Sequence, residues 1–402
     1  MNRVVITGAG TINALGHTVP ETLHAMREGQ LGIGPLQMRD LDRLSVKIGA
    51  QIKNFDPESH FDRQKLALYD RVTQLTLLAS REAMVQSGLE ITEEQSETTG
   101  VVLGTAAGGM TTWDDNFRSV YEEGKNRVHP FVVPKLMTNA AASHVSIVYN
   151  IKGPSLTVST ACASSNHAIG LAFQMVRSGM ARVMLAGGAD AMLTFGGIKA
   201  WEGLRVMSKT ACRPFSANRT GMVQGEGAGV FVLETYEGAK ARGAEIFAEI
   251  VGFAMTSDAS GIVMPNQQGA ARAIRGALAD ACLCPQDIGY INAHGTGTAA
   301  NDKTECAAVA EAFGAHADRV MISSTKSMHG HLIGGTGAVE LLACLMALRE
   351  GVIAPTIGYE HPDPNCALDV VPNVARQAKV TAIMSNAFAF GGLNAVLALR
   401  AV

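Results

Sequence analysis

The chain has 402 residues and a formal charge of −3, with 47% of its residues hydrophobic and 17% charged. Such a composition describes a folded body with a sizeable core. The even mixing of acidic and basic residues excludes the one-signed face of a nucleic-acid binder, and no apolar run reaches the roughly 18–20 residues of a membrane span. The opening "MNRVVITGAGTINALG" lacks the pattern of a cleaved signal peptide. Seven scattered cysteines, an odd number, then indicate reduced thiols in a cytoplasm. Cys282 and Cys284 form only a C-x-C without a second pair, so no metal site is expected.

In chain order, strands are predicted at Val4–Thr7, Gly100–Gly104, Leu156–Ser159, Val183–Ala186 and Val230–Glu234. Five more follow at Ile246–Ala254, Tyr290–Ala293, Val320–Ser323, Ala382–Ser385 and Val396–Leu399. Helical patterns fill Asp70–Gly88, Ala163–Ser178, Gln268–Ala281, Glu305–Phe313 and Gly337–Arg349. Buried strands separated by helices mean an α/β architecture with covered sheets. The first strand runs into Gly8 and Gly10, half of a dinucleotide fingerprint. Asn13 stands where the third glycine belongs and no acid ends a second strand about 20 residues on, so the reading is a tight strand-to-loop turn.

A weak repeat runs through the chain. "LTVSTACASSNHAIGLAFQMVRSG" and "VMISSTKSMHGHLIGGTGAVELLACLMALREG" are each a strand ending in Ser-Thr, a small-residue turn and an apolar helix closed by glycine. "RVMLAGGADAM" likewise parallels "VTAIMSNAFAFGG". Two similar halves, residues 1–245 and 246–402, would then form one compact body.

Most free cysteines are small core residues. Cys162 differs in its setting: it follows a strand and the cap-forming pair Ser159-Thr160, and it opens a helix of small residues. The helix start would lower its thiol pKa, and Ala161, Ala163 and Ser164 leave a substrate room to approach. Its partners are sought among histidines after strands. "INAHGTGTAANDKTE" offers His294, and "SSTKSMHGHLIGGTGAVE" offers Lys326, His329 and His331, all on turns where open α/β sheets place ligand sites. His167 reads as structural. In "MSNAFAFGGLNAVLAL", Gly391 and Gly392 let backbone N–H groups point into a site, which suits an oxyanion hole.

Together "TACASSNHAIG", "NAHGTGT", "STKSMHGHLIGGTGAVE" and "NAFAFGGLN" resemble the signature blocks of the β-ketoacyl-acyl-carrier-protein synthases, and most of all the elongating type II enzyme. "ACASSNHAI" and "STKSMHGH" are also similar to the specialised ketosynthases of nodulation-factor acyl chains. The resemblance implies a thiolase-like five-layered αβαβα fold, a dimer, an acyl-carrier-protein partner and no cofactor. It implies that Cys162 takes an acyl chain, that His294 and His331 hold malonyl-carrier protein for decarboxylative condensation, and that the N–H groups of Cys162 and Phe390 form the oxyanion hole. It also implies a supporting ion pair of Lys326 with Glu305, and pantetheine contacts at Thr296 and Thr298. Phe388 and Phe390 would line the substrate side, Phe390 as the gate.

Three positions depart from the family pattern: His329 and Leu393 each replace a threonine, and Ala107 replaces a bulkier lining residue of the acyl pocket. The departures at 329 and 393 leave an alternative, a non-catalytic subunit of the chain-length-factor kind in a heterodimer. Arg63, Lys65, Lys125 and Arg127 are candidates to meet an acidic carrier protein.

Overall fold

The computed structural model describes residues 1–402. Five strands frame the first half: β1 (Val4–Asn13), β2 (Thr99–Gly104), β3 (Ser155–Val158), β4 (Val183–Asp190) and β5 (Gly227–Thr235). Five frame the second: β6 (Ala248–Ser257), β7 (Ile288–Asn292), β8 (Met321–Ser323), β9 (Ala382–Ala389) and β10 (Leu393–Arg400). The first set lies in the order β1-β5-β4-β2-β3, and the second in the order β6-β10-β9-β7-β8. Adding five to each number of the first order gives the second, and the directions agree as well. β2 is parallel to β3 and β4, β7 is parallel to β8 and β9, and the other two pairings within each half are antiparallel. A short antiparallel contact of Val4–Ile6 with Ala248–Ile250 joins the halves.

Helices complete five layers. α1 (Arg71–Ser87) and α3 (Ala140–Tyr149) cover one outer face, and α5 (Gln267–Ala281) and α6 (Ala299–Phe313) the other. Between the sheets lie α4 (Ser164–Ser178) and α7 (Thr336–Glu350). Both have to be apolar nearly all round, since each meets a sheet on either side. Thr336 through Ala347 are all buried, and Ile169, Phe173, Leu341 and Leu345 join the central core. A further helix, α2 (Met110–Tyr121), stands outside the layers with Trp113, Phe117 and Tyr121 exposed.

The two repeated sequence pairs occupy equivalent places, β3–α4 against β8–α7 and β4 against β9. Three local expectations change. The first strand does not turn at Gly8: β1 runs on to Asn13, and the glycines serve packing. A Cβ on Gly10 would come within 2.0 Å of Ala79 O, and one on Gly8 within 2.3 Å of Ala83 O, so α1 lies against bare backbone. Helix α6 begins six residues before Glu305, at Ala299, with Thr298 capping it by accepting the Asn301 N–H. Its first turn shows no apolar face because the buried residues there are Asn301 and Asp302. Neither Ser159 nor Thr160 caps α4, which has no side-chain cap; the Ser164 hydroxyl accepts the Thr160 N–H and donates to Ala161 O.

Candidate active site

All the segments singled out in the sequence meet at the carboxyl ends of the parallel strands of both halves, where α/β sheets build ligand sites. Cys162 sits between β3 and α4. Ala161, just before it, has φ +48°, a left-handed conformation that a non-glycine residue holds only under constraint. Gly104 lets the end of β2 close against this turn; a Cβ there would lie 2.4 Å from the carbonyl carbon of Ser164. The thiol is buried, and burial pushes its pKa up to about 12; Asp190 raises it too, while Lys326 and the N–H groups of Cys162 and Phe390 pull it back. The expected lowering by the helix start is outweighed by burial. The amides of Cys162 and Phe390, expected from the resemblance to form an oxyanion hole, are the backbone groups that act on the thiol.

The Cys162 sulfur and one ring nitrogen each of His294 and His331 lie within 4.8 Å of one another. The two imidazoles meet edge to face at 5.5 Å, and Phe388 packs against His294 at 6.2 Å. Both histidines are fully buried, and burial followed by the charge of Lys326 holds their pKa values well below the ordinary range, so both are neutral. The Ile333 N–H donates to His331 Nδ1 at 3.2 Å, and the Thr336 hydroxyl sits 2.8 Å from the same nitrogen. With Nδ1 accepting, the ring proton is on Nε2, which is buried and has no partner in the protein. Three such groups have the span to clasp a metal ion, but an Nε2–H is a donor and not a ligand. The His331 Nε2–H is thereby available to an acceptor that enters the site.

The expected Lys326–Glu305 pair is not made. Lys326, fully buried, donates to Glu340 on α7 at 2.5 Å. Glu305 is occupied otherwise: its oxygens accept the N–H groups of His294 (2.8 Å) and Gly295 (2.7 Å) and the Asn386 amide (3.2 Å). It therefore clamps the His294 turn directly, while Lys326 supplies the positive charge that acts on Cys162 and both histidines. Burial raises Glu340 to about 7 against the opposing effect of Lys326.

His329 points away from the chemistry. Its Nδ1 lies 2.8 Å from Gly330 O and its Nε2 2.9 Å from Thr325 Oγ1, and burial lowers its pKa to about 3. Leu393 opens β10, and the loop before it is tied by other groups. Asn394 donates to Asp258 at 2.7 Å, and the Asp258 N–H donates to Gly392 O at 2.9 Å. His167, bonded to Thr160 Oγ1 and close to Ala163 O, is structural as expected.

A cleft of about 350 Å³ opens onto Cys162, His294 and His331, lined by Thr296, Thr298, Phe388 and Phe390. The hydroxyls of Thr296 and Thr298 lie 2.9 Å apart. Phe390 stacks on Trp201 at 5.7 Å. Ala107 lies elsewhere: it packs in the apolar cluster around Cys162 and lines a second cavity of about 640 Å³ with Met110, Trp113, Phe117 and Phe195. Four residues that matter here carry no role in the expectations drawn from the sequence. They are Trp201, Glu340, Asp190 at the end of β4, and Arg219, which donates to Asp363 at 2.6 Å and to Thr298 O at 3.3 Å. An acid closing an apolar strand, as in "MLAGGAD", was the available signal for Asp190.

A buried thiol at a helix start, two neutral histidines and paired backbone donors, set in a duplicated thiolase-like fold, define a condensing enzyme of the acyltransferase type. Comparison with known proteins gives the family. Residues 1–239 match "Beta-ketoacyl synthase, N-terminal domain" and residues 247–360 match "Beta-ketoacyl synthase, C-terminal domain". The chain is 49% identical over 400 residues to "Nodulation protein E" of Rhizobium sp. (strain N33), covering 100% of this chain and 99% of that protein. It is 41% identical over 405 residues to "3-oxoacyl-[acyl-carrier-protein] synthase 2" of Staphylococcus aureus (strain COL), covering 99% and 98%. Among solved structures it superposes with a TM-score of 0.90, at 30% identity and full coverage of both chains, on a type II polyketide ketosynthase in complex with its acyl-carrier protein. The chain belongs to the β-ketoacyl synthase family.

Proposed function

We propose that this chain extends an acyl chain by decarboxylative condensation with malonyl-acyl-carrier protein, and that Cys162, His294 and His331 perform it. The observation that carries the reading is the convergence of the Cys162 sulfur with two neutral imidazoles, one bearing an unpartnered Nε2–H. The Cys162 sulfur attacks the acyl thioester, the carrier thiol departs with the proton, and the oxyanion rests on the N–H groups of Cys162 and Phe390. The malonyl thioester carbonyl then accepts hydrogen bonds from His294 and His331. As the carboxylate leaves as CO₂, these bonds strengthen onto the enolate oxygen, where charge develops. The enolate carbon attacks the acyl-Cys162 carbonyl, and the released thiolate takes up a proton. Thr296 and Thr298 line the path of the pantetheine arm, with Phe390 at the gate.

The pull of the non-catalytic alternative came from His329 and Leu393. It weakens because His329 spends both nitrogens away from the cleft and Asn394 ties the loop that residue 393 was expected to hold. The carrier protein docks by charge. Lys65 and Lys125 already pair with Asp62 and Glu123, which leaves Arg63 and Arg127 as the candidates with charge to spare. The exposed aromatics of α2 and the open edge of β3 suit a second copy, so we take the working form as a homodimer. All seven cysteines are free, and no helix is long and apolar enough to cross a membrane; we take the cytoplasm as the working compartment. We divide the chain into halves at residues 1–245 and 246–402, as the repeated strand order supports.

Intact-protein mass spectrometry after incubation with acyl-carrier proteins tests the reading. The wild type gains an acyl adduct that malonyl-carrier protein discharges as a ketoacyl product, and Cys162→Ala gains none. A wild type that takes no acyl group from any carrier would sink it.

A further inference from the structure

Resting on the roles of Cys162 and His331 given above, we propose that Asp190 is a positioning residue that couples the acyl pocket to the malonyl site. Through it, loading of Cys162 accelerates decarboxylation at His331.

Asp190 closes β4 and is wholly buried. Its Oδ1 accepts the Thr105 hydroxyl at 2.7 Å and the Ala107 N–H at 3.3 Å. Its Oδ2 accepts the Ala106 N–H at 2.9 Å and the Gly334 N–H at 2.7 Å. One carboxylate thus ties two segments from different halves of the chain. Residues 105–107 follow β2, and Ala106 and Ala107 line the cavity and pack against the cluster that holds Cys162. Gly334 lies three residues after His331. The segments touch backbone to backbone: a Cβ on Gly334 would fall 2.5 Å from the Ala106 nitrogen and 2.6 Å from Asp190 Oδ2. A shift in one segment is therefore felt by the other, because close-packed elements transmit displacement and do not absorb it.

The link to His331 is Ile333. This β-branched residue has φ +51°, a strained conformation that persists only where its surroundings impose it. The N–H of the next residue, Gly334, is held by Asp190, and its own N–H fixes the proton on His331 Nε2. Its side chain packs in the same cluster as Cys162 and Ala107. An acyl chain on Cys162 has to pass this cluster. It presses on Ala106–Ala107 or on Ile333, and the shared Oδ2 carries the displacement across. The strained residue is the point at which we place the coupling between the two sites.

The assay measures CO₂ release from malonyl-carrier protein by the purified full-length chain, with Cys162 empty and with Cys162 loaded. In the wild type the loaded-to-empty ratio is expected to be about fivefold or more, the lower end of ordinary coupling between sites. In Asp190→Asn the ratio falls below about twofold, whatever the absolute rates, while the acyl adduct still forms on Cys162. Thr105→Val removes one bond of the tether and lowers the ratio as well; Thr105→Ser restores it. This second pair carries the test if Asp190→Asn does not fold. A wild-type ratio near one overturns the proposal and leaves the condensing reading standing. Variants that slow both rates equally and keep the ratio would also overturn it, since a purely structural role does that. Absence of any acyl adduct on the wild type removes the functional reading, and this proposal with it.

Discussion

Ala107 offers a direct test of where the acyl chain lies. Its methyl group faces the cavity of about 640 Å³ shared with Met110, Trp113 and Phe117, next to the cluster that holds Cys162. Replacing it with isoleucine adds three carbons to that wall. If the chain runs through this space, about three of its methylenes lose their burial, at about 0.8 kcal/mol each. The loss of about 2.4 kcal/mol corresponds to about 50-fold in kcat/KM for chains long enough to reach the site. Shorter chains, ending before Ala107, keep their rate. The fold should tolerate the change within about 1 kcal/mol, because the new atoms enter open space and do not overpack a filled core. The assay is competition among acyl-carrier proteins of graded chain length, read as adducts on Cys162 by intact mass. An unchanged profile, or an equal loss at every length, would refute the placement of the chain along this cavity.

Cys162 should be a slow nucleophile toward small alkylating agents. With its thiol pushed up to about 12, the group stays protonated across neutral pH, and alkylation by iodoacetamide climbs about tenfold per pH unit with no plateau below about pH 10; a midpoint between about pH 6 and 8 would contradict the dominance of burial. Glu305→Ala frees two buried N–H groups, those of His294 and Gly295, at about 1–3 kcal/mol each. The expected result is a lowered melting temperature and lost condensation with the Cys162 adduct still formed, and condensation at the wild-type rate would refute the clamp.

The parts of the molecule written in local pattern were readable before any coordinates. α1 runs between its Asp70 cap and Gly88 at φ +60°, as the sequence predicted, because cap, apolar stripe and C-terminal glycine all lie within one stretch. Cys162, His294 and His331 stand out in the sequence because each lies in a small-residue turn that follows a predicted strand. The buried ion pair was misassigned for the opposite reason. Glu305 and Glu340 are both acids within apolar helices, and only the folding of α7 between the sheets brings Lys326 to Glu340. Asp190 and Trp201 stay silent in the sequence on the same ground: each has its contacts with groups distant in sequence, Gly334 and Phe390. The pKa of Cys162 was read in the wrong direction because a helix start is local, whereas burial is a property of the closed fold.

Duplication explains why the site has the form it does. The β3–α4 turn delivers Cys162, and the equivalent β8–α7 turn delivers His331. The end of β4 delivers Asp190, and the end of its counterpart β9 leads through Phe388 to Phe390. The end of β2 leads to Thr105–Ala107, and that of β7 to His294. Each half thus contributes three loops from the same three strand ends, and the two trios face one another across α4 and α7. Equivalent backbones have taken opposite tasks. The first half supplies a buried thiol, a buried carboxylate and an apolar wall, which in the proposed mechanism meet the acyl group. The second supplies two neutral imidazoles and Phe390, which in the proposed mechanism would donate to the thioester oxygen as it gains negative charge and gate the cleft. A chemistry in two steps, acyl loading followed by condensation, maps onto a fold in two copies. Contacts that cross between the trios, foremost Asp190 with Gly334, are where the order of the steps can be enforced.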